Sequence, residues 1–590
     1  MSILIDVVRI SGFRGIKELE VSLPRVAVLV GQNNAGKTSV VKALQLAIGD
    51  YSRYLSEEDF HINQDDTRAE QILVDIRVVP LTEQGAPCNE FSEDWLEEFG
   101  DKVRQDASGH QFLAIRTVVR PDLVRGGFLV ERYTLDQWAE DDWVNAVTVA
   151  KNRLRGKLRA VQYISIDAQR DLHSELKERS SFIGKVLSTV EYDKEDILEL
   201  EGLIKDVNQQ AIDKSQPLST LKKHLNALND SFDGKGQAEL SPFPKKVRDL
   251  SKRFSIHFGE NENNSFSMEY HGMGTRSWAS MLTVKAMVEL SADSHEKEAE
   301  SFFPVVAAEE PEAHLHVNAQ RTLFKQMSDM PGQVIISTHS PYIASLSDLE
   351  NLRCLKKLEG SVVVSQLIDG LDGEDIKTLR REVMRLRGDV LFSKALILFE
   401  GVSEEQIVPA MFERYFGCSP FEVGVSCVSV GGKNYKPYLK LAGSFGIPVF
   451  IVSDNDGTAQ AEVQSQIAKV KQETTLHLEE DTFGISFLGQ GNDIEAELLG
   501  LDMLSEIKKA IVLAETKGRS IPGWVASKTA EIEPLNEAQL AEKMRGVKAT
   551  YAGFLADVIV TNENNKQPEQ LIPPAVKAAF DKVREWTTYD

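Results

Sequence analysis

VAVLVGQNNAGKTSVVKALQLAI, residues 26–48, is the stretch on which the reading of this chain turns. VAVLV is a short, wholly apolar run that reads as a buried strand, and SVVKALQLAI carries apolar residues at helical spacing. The loop between them fits G-x-x-x-x-G-K-[ST] in the setting that pattern requires, strand before and helix after. Gly31 and Gly36 permit the tight turn that aims backbone N–H groups at phosphate, and Asn33, Asn34 and Ser39 belong to the same loop. Lys37 is expected to reach the β- and γ-phosphates and Thr38 to take Mg²⁺, so ATP with Mg²⁺ is the expected cofactor.

Downstream, FFPVVAAEEPEAHLH (302–316) is an apolar strand ending in two carboxylates. By position, Glu309 is assigned to the Mg²⁺ shell of the nucleotide and Glu310 to activation of the attacking water. QVIISTHSP (333–341) places His339 just past another strand end, where it can sense the γ-phosphate. His314 and His316, at a helix start beside the acidic strand, read as structural rather than as metal ligands.

A second acidic centre begins at LILFEGVSEEQ (396–406), where an apolar strand ends in Glu400 and a helix start brings Glu404. IPVFIVSDNDG (447–457) is another buried strand, ending in Asp454 and Asp456, which alternation puts on one face of the strand end. FLGQGNDIEAEL (487–498) adds Asp493, Glu495 and Glu497, of which the first two are favoured. Carboxylates gathered at the ends of parallel strands repel one another, and hard divalent cations relieve that repulsion. Oxygen-only ligation favours Mg²⁺ or Mn²⁺ over zinc.

At 590 residues the chain exceeds one hydrophobic core. Four divisions are expected. Residues 1–168 form the first part of an ATPase, rich in strands, and 169–252 a helical insertion suited to dimer contacts. Residues 253–390 complete the ATPase, and 391–590 form an α/β domain with C-terminal helices. The strand–helix alternation after residue 394 implies a parallel sheet. No apolar run approaches the roughly 20 residues that span a bilayer, so no membrane segment is expected. Cys88, Cys354, Cys418 and Cys427 form no C-x-x-C pair, and a reducing cytoplasm fits best. The formal charge of −23 excludes nucleic-acid binding through the whole surface. DNA contact must come from bound cations or from local patches such as KNRLRGKLR (151–159) and KTLRREVMRLRG (377–388).

FRGI (13–16), GQNNAGKTS, EEPEAHLH and STHSP together resemble the ATP-binding-cassette ATPases of the RecF and SMC type. That resemblance implies two heads sandwiching ATP, with a signature motif of one head completing the site of the other. HGMGTRSW (271–278) is its counterpart, with Gly274 facing the nucleotide. It departs from the usual serine-glycine-glycine-glutamine form, having Arg276 near the glutamine position. Glu400 and Glu404, followed by Asp454 and Asp456, resemble the Toprim domain of topoisomerases, DnaG-type primases and certain nucleases. Joined in one chain, the two are similar over nearly its full length to the OLD (overcoming lysogenization defect) family. Gabija-type defence nucleases and some retron-linked effectors share that architecture.

The resemblance implies an α/β fold, with an N-terminal RecF-like ATPase and a C-terminal Toprim domain. It implies a DNA endonuclease in antiphage defence, gated by the ATPase, whose two cations are held by Glu400, Glu404, Asp454, Asp456 and the NDIEAE segment. Glu400 and a C-terminal lysine, for which Lys548 in MRGVKATYA is the candidate, would act at the scissile phosphate. A homodimer or tetramer is implied, as is an accessory partner such as a UvrD-like helicase or a retron reverse transcriptase with its DNA. A RecF-like clamp without cleavage and a topoisomerase-like enzyme stand as alternatives, although none of the twelve tyrosines sits in a recognisable nucleophile context. Whether ATP licenses or restrains cleavage is left open.

Overall fold

The computed structural model describes residues 3–63, 65–82, 84–122, 124–166, 193–220, 222, 257–259, 265–267, 272–298, 300–358, 360–367, 371–384, 388–473 and 481–587. Within these, the side chains of 257–259, 265–267, 382–383 and 548–549 are not described.

Three large sheets, with a short antiparallel pair of His257–Gly259 and Ser265–Ser267, organise the described chain. The first is antiparallel and includes Ile3–Phe13, Ile16–Ser22, Ile72–Pro80, Gln111–Pro121 and Phe128–Thr134. The second has the Val26–Val30 strand at its middle, parallel to Gln333–Thr338 on one side and to Leu352–Leu358 on the other. Phe303–Glu309 and Val161–Ile166 continue it in parallel, and Ser361–Ser365 closes its far edge as an antiparallel hairpin. The third sheet is wholly parallel, in the order Val425–Ser429, Ala395–Phe399, Val449–Ser453, Phe483–Phe487.

Strand periodicity explains why these apolar runs carry no polar face. In the second sheet Ala27 and Leu29 pack with the Lys37–Ile48 helix and the antiparallel sheet, while Val28 and Val30 point to the opposite core. Both faces are covered, as in other buried parallel sheets, so VAVLV reads as uninterrupted hydrophobicity. The third sheet repeats the device. Ala395, Ile397 and Phe399 face the C-terminal helices Val402–Phe416, Leu504–Glu515, Lys548–Thr561 and Pro574–Thr587. Leu396 and Leu398 face the other way, into the same apolar cluster as Val28, Val306 and Ile336 of the ATPase sheet. The two sheets thus share one core, supplemented by a buried ion pair between Lys440 and Asp375.

The strands predicted around the phosphate loop, the acidic strand and the C-terminal series all form. The hairpin Leu352–Leu358 and Ser361–Ser365 was not among the expected strands. The DILELEG stretch lies in a helix, Lys194–Lys214, on which Leu198, Leu203 and Val207 are exposed. The rest of the expected helical insertion, LKKHLNALNDSF included, lies outside the described residues apart from Asp193, residues 215–220 and Lys222. So do Met268–Tyr270 of the expected FSMEY strand, and Arg385 and Arg387 of the second basic cluster. No described helix is long and apolar enough to cross a membrane.

Candidate functional site

The phosphate loop folds as a cradle. Gly31, Asn34 and Gly36 all have positive φ, at 149°, 60° and 98°. A Cβ on Gly31 would collide with the carbonyl oxygen of Leu355, and one on Gly36 would come 2.9 Å from Val362 Cγ1. The unforeseen hairpin is therefore the floor of the loop. Lys37 is buried and its ammonium donates to the carbonyls of Gly31 at 2.8 Å and Gln32 at 2.9 Å. Burial pushes its pKa down to about 8, against the pull of Glu310 and Glu312. A lysine folded onto its own loop in a dry site is a cation fitted to an incoming anion. A cavity of about 1150 Å³ is lined among others by Arg14, Tyr51, His61 and Ser361, and by no residue of the 31–39 loop. Gly31→Ala should abolish the thermal shift that ATP gives the wild type, because the substitution fails on both φ and space. A wild-type ATP shift in that variant would show the loop is not the nucleotide cradle.

Across the loop, Glu310 stands just past its strand with φ 45°. Its N–H donates to the Ser337 carbonyl, and its Oε1 lies 3.2 Å from His339 Nε2. Burial lowers the His339 pKa, with the Lys37 charge adding to it and Glu310 opposing. Glu309 faces Lys42 at 2.6 Å instead of open space, so metal ligation through Glu309 requires that pair to part. Glu312, unremarked in the sequence, accepts hydrogen bonds from Thr338 Oγ1 and from the His339 and Ser340 N–H groups, and so fixes the loop that carries His339. His316 caps the Val317–Ser328 helix, and the backbone of His314 packs against Gly274. Gly274 lies inside the first turn of the Met273–Glu298 helix. Thr38 and Ser39 open the Lys37–Ile48 helix, with Ser39 buried, and Asn33 is exposed on the loop.

The second centre sits where parallel strands end together, the usual place for sites in such sheets. Glu400 follows Phe399, and Asp454 follows Ser453. Asn455 supplies the tie to the third segment. Its N–H donates to the Asn492 carbonyl, its side chain to the Leu488 carbonyl, and its own carbonyl accepts from Gly491. Asp493 then caps the Ile494–Leu499 helix through the Ala496 N–H. Glu497 binds Gly489 N–H and Asn492, a loop-bracing task that leaves the site to its neighbours.

Electrostatics show that the segments converge. The Asp454 pKa is pushed up to about 8, first by burial and then by the charges of Glu404, Glu400, Asp493 and Asp456. Glu404 rises to about 7, first by burial, then through Glu495 and Glu400, although the Gly401 N–H opposes this. Asp454 Oδ1 is buried without a hydrogen-bond partner among the described residues. Glu495 is fully buried, and both Ser403 and Tyr551 donate to its Oε1 at 3.3 and 3.2 Å. Two cations hold outer carboxylates. Arg545 binds Asp493 through two nitrogens at 2.7 and 2.9 Å, and Lys433 lies 3.6 Å from Asp456.

No three His, Cys, Asp or Glu side chains among the described residues close into a finished metal cage. That is the expected geometry of like charges held apart, two of them by basic side chains. The donor chemistry, all carboxylate with an orphaned buried oxygen, fits hard divalent ions. Lys548 opens the Lys548–Thr561 helix, but its side chain is not described. The basic run at 151–159 is partly spent on ion pairs, Arg153 with Glu131 and Lys157 with Asp50.

A pH dependence follows. The unfolded carboxyl groups ionise near pH 4, whereas the folded, ion-free Asp454 and Glu404 keep their protons to about 8 and 7. Their contribution to stability is full below about pH 4 and is lost as pH rises through 7 to 8. Divalent ions need the ionised forms. Mg²⁺ should therefore raise the melting temperature more near pH 8 than near pH 6, as a thermal-shift series can check. An Mg²⁺ shift that is flat with pH would contradict the assigned cluster.

Comparison with known proteins accords with this geometry. Residues 391–456 match the model of the overcoming lysogenization defect protein-like TOPRIM domain, residues 139–344 that of an AAA ATPase domain, and residues 3–92 a family of unknown function. The chain is 25% identical over 506 residues to the OLD nuclease of Thermus scotoductus, covering 80% of this chain and 86% of that one. It is 22% identical over 482 residues to the Old nuclease of Escherichia phage P2, covering 77% of this chain and 78% of the relative. It is also 22% identical over 464 residues to the endonuclease GajA of Bacillus cereus, covering 76% and 74%. A nucleotide-type loop in one sheet and acidic strand ends in another make the chain an ATPase–Toprim fusion. Within that class it is similar to the OLD nucleases over most of its length.

Proposed function

We propose that this protein is a divalent-metal-dependent DNA endonuclease whose Toprim centre is gated by its ATPase, and that it serves in antiphage defence. The observation that carries the reading is the shared field at Asp454. Carboxylates from three separated segments raise its pKa together, which requires them to face one space. Glu400, Glu404, Asp454, Asp456, Asp493 and Glu495 would hold Mg²⁺ or Mn²⁺ there. Bound divalent ions supply an activated water and charge stabilisation for the leaving oxygen in phosphodiester hydrolysis. Ser403 and Tyr551 orient Glu495, and Asn455 keeps the Asp454 and Asp493 segments in register. Lys548, at the helix start that follows Arg545, is assigned to the scissile phosphate.

In the ATPase, the 31–39 loop with Lys37 and Thr38 would bind the phosphates and their Mg²⁺. Glu309 would join the metal shell once released from Lys42. Glu310, in line with His339, would orient the attacking water. Gly274 at the head of the Met273–Glu298 helix would meet nucleotide on a second copy, so the working unit is a dimer or tetramer.

Tyr551 and Tyr435 lie near the carboxylates, but both are buried, and burial raises their pKa values. They are poor nucleophiles, which disfavours a topoisomerase. Supercoiled plasmid with Mg²⁺ or Mn²⁺ separates the readings. Nicked or linear product is expected. Binding without cutting would leave a clamp, and relaxed closed circles would show strand passage.

A further inference from the structure

A dense carboxylate cluster repels the phosphodiester that it must cleave, so any cation at its mouth has consequences for substrate. Lys433 is such a cation. It follows Gly431 and Gly432, whose φ values of 69° and 107° form a turn directly after the Val425–Ser429 strand. The turn is anchored on the site. Gly432 N–H donates to the backbone carbonyl of Glu400 at 2.8 Å, and Gly431 N–H to Ser429 Oγ at 3.3 Å. Gln466 clamps the other end, donating to the Lys433 carbonyl and accepting from the Tyr435 N–H. The backbone of Lys433 is therefore fixed on the strand end that carries Glu400.

The ammonium is not fixed to the same degree. It lies 3.6 Å from Asp456 Oδ1 and 3.8 Å from Glu462 Oε2, beyond direct hydrogen-bond distance, with the side chain 26% exposed. Asp456 and Glu462 are themselves half-exposed. Lys440, seven residues on, shows the structural alternative: it is 2% exposed and closes on Asp375 in a buried pair. A lysine with a rigid stem and a loosely shared, solvent-facing head beside Asp456 is built to change partners. When divalent charge takes over Asp456, a nearby phosphate becomes the stronger partner for the ammonium.

We infer that Lys433 is a DNA-backbone contact, binding a phosphate of the cleaved strand beside the carboxylate cluster and setting the register of the strand. The inference rests on the endonuclease reading for its substrate. It extends that reading to a residue beside Asp456, whereas Arg545 is held on Asp493.

The test uses the full-length protein and a labelled DNA duplex, with binding followed by fluorescence anisotropy across a salt series in Mg²⁺. Lys433→Ala should bind about three- to tenfold more weakly, and the slope of log affinity against log salt should become shallower by about 0.9. Lys433→Arg should restore both. The Mg²⁺ midpoint, read from Mg²⁺-dependent thermal shift, should not rise, since the lost ammonium competed with the ion for Asp456, and melting without Mg²⁺ reports folding. Wild-type affinity and slope in Lys433→Ala overturn the inference. So does a moved Mg²⁺ midpoint with unchanged DNA affinity, which would make Lys433 only the counter-charge of Asp456. If the wild type cuts no DNA, the endonuclease reading falls, while the binding isotherms still decide whether Lys433 holds DNA.

Discussion

Asp454→Ala is expected to abolish DNA cleavage, lowering the rate on the order of 10³-fold or more, while ATP hydrolysis continues at the wild-type rate. Asp454 stands at the centre of the field made by Glu404, Glu400, Asp493 and Asp456, and it has the orphaned buried oxygen. Removing it withdraws a ligand, while burial with Glu495 and Glu400 keeps the Glu404 pKa raised at about 7. The protein should consequently become no less stable without metal, yet lose its Mg²⁺-dependent thermal shift. Plasmid nicking and phosphate release, measured on one preparation, check both halves. Nicking at the wild-type rate would refute the Toprim assignment.

Glu310→Gln should do the reverse, slowing ATP hydrolysis about 10²- to 10⁴-fold and leaving metal-dependent nicking chemically possible. The backbone at Glu310 sits in the left-handed region, a conformation costing a non-glycine residue of order 1–3 kcal/mol, and it is held there by the bond to Ser337. Strain of that kind persists where surrounding structure enforces it, and here it turns the carboxylate toward His339. Glutamine keeps the size and the turn but cannot take a proton. Nucleotide binding should therefore survive, so a trapped ATP-bound state would be available to reveal the sign of the coupling. Complete loss of basal nicking in this variant would mean that the two centres are not separable.

The parts of these sites that could be read from the chain are those encoded within a few residues. The phosphate loop announces itself because its glycines, lysine and hydroxyls must be consecutive, and the strand-end carboxylates because each follows its own apolar run. What could not be read is the support. Arg545 reaches Asp493 across 52 residues, Tyr551 reaches Glu495 across 56, and Ser403 reaches Glu495 across 92. Nothing local in GVSEEQ (401–406) or MRGVK (544–548) marks such pairings, since a serine at a helix start or an arginine near a helix end is ordinary. The hairpin under the phosphate loop was missed for a related reason. LRCLKKL mixes lysines into its apolar pattern, and only the packing of Leu355 and Val362 against Gly31 and Gly36 gives it meaning. Asn455 was passed over between two aspartates, although it binds their segment to the next.

Leu396 and Leu398 occupy the same apolar layer as Val28 and Ile336, with Tyr435, Leu439 and Phe445 filling the space around them. Among the described residues no wet seam divides this layer, so one sheet swinging away from the other would open oil to water. A nucleotide signal must therefore be carried by the pair of sheets travelling as one piece, against a neighbouring copy or against DNA. On the proposed gating, coupling is expected between copies and not within one chain, so ATP should change nicking little in a monomeric preparation.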